Sequence, residues 1–184
     1  MRPKNYTVVE KMLDGRLLRI RAIRPLDKQA LHDTFHRLSR RSVYFRFLGD
    51  KKDLSEEELT YLTELDFVRR VALVAVVGED KRERIVGVGR CTILGNHERE
   101  QRADLAIAVE DVFHGLGVGT LLLQHLAEIA RQSSVTVFEA DVLPDNDKMV
   151  EVFANCGLPL QTRVQAGMVH ITLSIGEKPL SPQG

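Results

Sequence analysis

The sequence predicts an α/β chain built on one mixed, mostly antiparallel sheet of about seven strands, flanked by about four helices. Three observations predict it. Two short alternating runs near the start, 6–12 and 16–23, are joined through Asp14-Gly15, the dipeptide of a tight hairpin. Residues 72–77 are almost wholly apolar, as in a strand covered on both faces. Residues 104–133 pass from an apolar strand through Gly115, Gly117 and Gly119 into one long helix with an apolar face.

The remaining elements follow in order. Pro25-Leu26-Asp27 opens a helix to about Leu38, with Leu31, Phe35 and Leu38 at helical spacing. Ser39 to Phe47 interleaves arginines with Tyr44, Phe45 and Phe47, a pattern that suits either nucleotide binding or a solvated helix face. An acidic helix is expected at 54–65, where Ser55 and Glu58 stand at capping-box spacing. Strands are expected at 85–94, 101–109, 135–142 and 168–175, with charged turns at 78–84 and 95–100 and a weaker strand candidate around 161–164. A last helix is expected at 146–156. The 184 residues fit one domain, expected to span 1–175, with a loose tail at 176–184 that carries Pro179 and Pro182.

Lysines plus arginines number 26, as do aspartates plus glutamates, so no global field draws in nucleic acid or an anionic membrane. No apolar run reaches the length of a signal peptide or a membrane span, and a cytoplasmic protein is expected. Cys91 and Cys156 lack a CxxC partner and read as buried thiols. His32 and His36 have the i, i+4 spacing of a metal pair, but no HExxH glutamate or third ligand is apparent in the sequence. They are taken as exposed helix polarity, and no metal is expected.

The glycine triplet carries the functional argument. The first N–H groups of a helix have no intrahelical partner and sit at the positive end of the macrodipole, so they welcome an anion. Glycines ahead of them let a diphosphate approach the backbone closely. A P-loop is excluded because Thr120 and Leu121, not lysine and serine or threonine, follow Gly119. A GxGxxG dinucleotide fingerprint fails too, since its third glycine would fall on Thr120 or Leu122.

The run His114-Gly115-Leu116-Gly117-Val118-Gly119 resembles the acyl-CoA pyrophosphate loop of the GCN5-related N-acetyltransferases, the GNAT family, with His114 where glutamine or arginine is usual. Asn146, Met149, Phe153 and Gly157 match a second family element, with Phe153 in the place of a tyrosine. The segment 38–47 is similar to one in the GNAT domain of bacterial protein-lysine acetyltransferases. The resemblance implies a GNAT fold splayed at the acyl-CoA site, with acetyl-CoA as co-substrate. It implies cofactor contacts from the backbone of Ile107, Ala108 and Val109, from the loop residues Gly115, Leu116, Gly117, Val118, Gly119 and Thr120, and from Asn146.

An acceptor amine with a pKa near ~10.4 is only about one part in a thousand neutral near pH 7.4, so a general base helps. The resemblance implies Asp104 as that base, one methylene shorter than the usual glutamate, direct or through water; a turn-closing role for Asp104 is the alternative. Glu110 ranks second, because it stands beside the diphosphate loop. Glu139 and Asp141 share a strand face and form either a working pair or a polar edge. His114 either faces a phosphate or fills an exposed turn position. The expected function is acetyl transfer to an amine, most simply a protein lysine, with an acyl-CoA synthetase as the implied kind of acceptor. The alternatives are a small-molecule amine acetyltransferase and a non-catalytic acyl-CoA sensor.

Overall fold

The computed structural model describes residues 3–78, 83–95 and 101–176. Parts of the expected turns at 78–84 and 95–100, and the expected tail beyond 176, lie outside the described residues. A hairpin, β1 (Thr7–Lys11) and β2 (Leu17–Ala22), leads into three helices, α1 (Lys28–Arg37), α2 (Arg40–Phe47) and α3 (Glu56–Thr63). A meander follows as β3 (Arg70–Val77), β4 (Arg84–Leu94) and β5 (Gln101–Val109), then α4 (Val118–Gln132), β6 (Val135–Val142), α5 (Asp147–Ala154), β7 (Leu160–Gln165) and β8 (Met168–Ser174).

The sheet has eight strands in the order β1-β2-β3-β4-β5-β6-β8-β7. Every pairing is antiparallel except β5 with β6. Two details depart from expectation. The eighth strand is the weaker candidate near 161–164, which runs from Leu160 to Gln165 against β8. The fifth helix is α2, which the sequence offered only as a solvated helix face, because Val43 is the one residue it buries fully, too little to set an apolar period.

Strand β3 explains how the layers form. Its alternate residues Val71, Leu73 and Ala75 belong to the core beneath α4, while Ala72, Val74 and Val76 belong to the core beneath α1 and α3. With both faces covered, the alternation of a half-exposed strand disappears. On α4, Leu122, Leu123, Leu126, Ala127, Ile129 and Ala130 are all buried, so this helix is the spine of the larger core. Fully burying side chains of this size contributes about 1.5–3 kcal/mol for each leucine or isoleucine. Among the described residues, no helix is long and apolar enough to cross a membrane.

The parallel pair β5–β6 positions the site. It is registered from Gln101 opposite Val135 to Asp104 opposite Glu139, and there the pairing stops. The last five residues of β5 continue to pair with β4 on the other side. The sheet is therefore open between the ends of β5 and β6.

Candidate active site

A cleft of about 680 Å³ occupies this opening. Its walls are the end of β5, the loop and first turn of α4, the end of β6, the start of α5, and one side of α2. Backbone direction follows from one bond: the Glu110 N–H donates to the Val86 carbonyl on β4 at 2.8 Å. Because successive residues of a strand turn their N–H and C=O groups to opposite edges, Val109 and Ile107 turn theirs away from β4, into the cleft. His114 Nε2 lies 2.8 Å from the Val109 carbonyl oxygen, so the ring donates a proton there. His114 thus fastens the loop to β5, a role that neither sequence alternative foresaw.

Gly117 is the N-cap of α4 with φ +83° and ψ 0°, a left-handed conformation that penalises any Cβ. Among the described residues, no side chain caps α4. By contrast, Ser39, Ser55 and Asn146 cap α2, α3 and α5. The N–H groups at the start of the longest helix therefore face the cleft without an internal acceptor, the arrangement that holds a phosphate. Gly119 has a different reason for being glycine: a Cβ there would lie 2.9 Å from Val152 Cγ2, so its absence lets α5 pack against α4. The hairpin turn reaches the same loop, with the Leu13 N–H donating to the Leu116 carbonyl at 3.1 Å.

Ile107, Ala108, Val109, the loop from Gly115 to Thr120, and Asn146 all line the one cleft. Asn146 is buried, and its Oδ1 accepts from the Met149 N–H at 3.3 Å, so part of its role is to start α5. Phe153 is 2% exposed and packs in the core under the cleft. Lys11, Arg41 and Arg46 also line the wall and were missed as site residues, although the basic and aromatic stretch pointed toward two of them.

Asp104 stands at the vertex where β5 and β6 part. It is not on the wall of the large cleft but on that of an adjoining cavity of about 520 Å³, and the two share Ala140 and Asp141. Asp104 is exposed, but desolvation by the surrounding chain raises its carboxyl above its ordinary pKa, while Arg46 pulls it down and Asp141 and Glu139 push it up. A raised pKa makes a stronger base. Glu139 is paired with Arg102, and Asp141 with His170.

Glu110 is removed from contention as a base. It is 2% exposed, and its Oε1 accepts from Arg37 Nε at 2.7 Å and from Arg84 at 2.5 Å. That clamp fixes the end of β5. Both thiols are buried, and burial pushes Cys91 up to about 12 and raises Cys156, so neither is a nucleophile near neutral pH.

Residues 34–158 match the model of the acetyltransferase (GNAT) family. The chain belongs to this family. Acetyltransferase PA5475 of Pseudomonas aeruginosa is 34% identical over 125 residues, 68% of this chain, and the match spans 66% of that relative's length. The GNAT domain of S. lividans PAT superposes with a TM-score of 0.83 at 29% identity, covering 91% of this chain and 96% of that one. The acetyltransferase yncA of Salmonella typhimurium, solved with its cofactor acetyl-CoA, shares the fold at TM-score 0.66 and 16% identity, covering 89% and 96% of the two chains. The GNAT fold that the resemblance implies is the fold observed.

Proposed function

We propose that this chain is a cytoplasmic, acetyl-CoA-dependent N-acetyltransferase, a single domain over 1–175, whose acceptor is a lysine side chain of another protein. The observation that carries the proposal is the opening between β5 and β6, with an uncapped helix N-terminus at one end and a carboxylate of raised pKa at the other. In this reading the diphosphate rests on the N–H groups that follow Gly117, and the pantetheine lies along the backbone of Ile107 and Val109 and beside Asn146. The thioester then points toward Ala140 and Asp141, where the two cavities meet.

The acceptor amine enters from the side of Asp104. Its nitrogen forms a bond to the thioester carbonyl carbon, its proton passes to Asp104 directly or through a water, and the carbon–sulfur bond breaks. The thiolate leaves without help from Phe153, which has no proton to give, and water supplies it instead.

Similarity to the GNAT domain of S. lividans PAT supports a protein acceptor. The cavity at Asp104 supports it as well: a pocket built for a small cation should offer several free carboxylates, whereas beside Asp104 itself the lining Glu139 and Asp141 are already engaged with Arg102 and His170. An acyl-CoA synthetase is the kind of acceptor we propose.

Incubation with acetyl-CoA and a panel of lysine-bearing proteins and small amines, read by mass spectrometry, tests the proposal. Acetylated protein lysine is the expected product. Acetylation of small amines alone would replace the protein acceptor, and acetyl-CoA binding with no transfer to any acceptor would favour the sensor.

A further inference from the structure

His32 and His36, which the sequence left as exposed polarity for want of a third ligand, are given one by the fold. The segment between α2 and α3 brings Asp53 over the exposed face of α1. Asp53 Oδ1 lies 2.8 Å from His32 Nε2 and 3.1 Å from His36 Nε2, and the two Nε2 atoms are 3.3 Å apart. None of the three residues lines the cleft.

The protons do not satisfy this triangle when both rings are neutral. A carboxylate oxygen only accepts, so each Nε2 needs a proton to bond it. If both rings carry that proton, two N–H groups crowd each other at 3.3 Å. If one does not, its lone pair faces the Asp53 oxygen. Three lone-pair-bearing atoms converging on one point is the arrangement a cation resolves.

The dimensions agree. Ligand atoms ~2.0–2.1 Å from a tetrahedral zinc ion lie roughly 3.3 Å from one another. An ion at that distance from all three atoms would sit roughly 1 Å out of their plane, with a fourth position left for water.

The frame is rigid on both sides. Leu31 and Phe35, neighbours of the two histidines on α1, are buried in the smaller core, as is Leu54, which follows Asp53. Phe35 packs edge-on against the His36 ring at a centroid distance of 5.4 Å. The Leu54 N–H donates to Asp53 Oδ1 at 2.8 Å and orients the carboxylate.

The geometry points to a site for one zinc-class divalent ion on His32, His36 and Asp53. Two imidazoles and one carboxylate favour a late first-row metal, whereas magnesium and calcium demand oxygen ligands. The ion is structural with respect to acetyl transfer: it ties α1 to the chain between α2 and α3.

The test is calorimetric titration of the untagged, chelator-stripped protein with Zn²⁺ and with Mg²⁺, beside the variants His36→Ala and Asp53→Asn. The expected result is one Zn²⁺ per chain, no Mg²⁺, and an affinity more than ~10-fold lower in each variant. Zinc should raise the melting temperature of the wild type and not of the variants. Asp53→Asn keeps an oxygen for the Leu54 N–H, so it decides the matter should His36→Ala lose structure. Absence of saturable zinc binding, or equal binding in Asp53→Asn, overturns the assignment.

Discussion

Gly117 allows the conformation of the loop to be separated from its electrostatics. Its φ of +83° lies in the left-handed region, where a Cβ costs about 1–2 kcal/mol. The Cβ itself would meet Leu13 Cγ at 3.4 Å, an ordinary contact, so Gly117→Ala should cost stability of that size and no more. Gly117→Glu carries the same conformational cost and adds one negative charge at the start of α4. A unit charge ~5 Å from a single phosphate charge, at an effective dielectric constant of ~20, is opposed by about 3 kcal/mol, or roughly a hundredfold in affinity. Calorimetric titration of both variants with CoA, beside their thermal melts, isolates that difference. The two should melt alike, and the glutamate variant should bind CoA about a hundredfold more weakly than the alanine variant. Equal CoA affinity in the two would remove the diphosphate from this loop.

Asp104→Asn should leave CoA affinity unchanged and lower the rate of acetyl transfer. The raised pKa of Asp104 means that the folded protein holds this proton more tightly than the unfolded chain, so ionisation costs stability as pH rises through the folded value. The asparagine variant should therefore melt higher than wild type at neutral pH, a gain that vanishes in acid below the ordinary aspartate pKa; a lower melting temperature at neutral pH would contradict the assigned shift. Glu110→Gln should destabilise the fold by less than the ~3–5 kcal/mol of a fully buried pair, because Arg37 and Arg84 reach solvent, and denaturant titration measures it. Gly119→Ala should cost about 1–3 kcal/mol through overpacking against Val152, and Val152→Ala should restore most of the loss in a double-mutant melt.

What the sequence made legible was local. Asp14-Gly15 marks the first hairpin because Gly15 takes φ +90°, and the continuous apolar run of β3 marks a strand with two covered faces. The glycine loop was legible as a whole, although its three glycines serve two ends: Gly115 and Gly117 take a left-handed backbone angle, and Gly119 lets two helices pack. Contacts between distant segments were not legible. Glu110 looked like a spare carboxylate beside the loop because its partners Arg37 and Arg84 lie 73 and 26 residues away. Asp53 comes to the histidines from 17 and 21 residues away through a segment with no repeating pattern. Nothing in residue spacing encodes such meetings.

The basic and aromatic stretch from Ser39 to Phe47 shows how a segment without periodicity acquires a fixed place. Helix α2 buries little, so packing alone would hold it loosely. Polar bonds hold it instead. Asp111, in the turn after β5, accepts from the Ser39 N–H at 2.9 Å, from the Ser39 hydroxyl at 2.6 Å and from the Ser42 hydroxyl at 2.9 Å. Arg41 donates to the Asp145 carbonyl at 3.1 Å, just before α5. The helix is thus pinned to both banks of the opening in the sheet, with Phe45 and Arg46 on the cleft wall. Strand β5 accommodates it because Ala106 and Ala108, on the same face as Asp104, are small. Larger side chains at those two positions would push α2 outward and stretch its bonds to Asp111. The small residues of β5 therefore make room for α2, which brings Arg46 within electrostatic reach of Asp104.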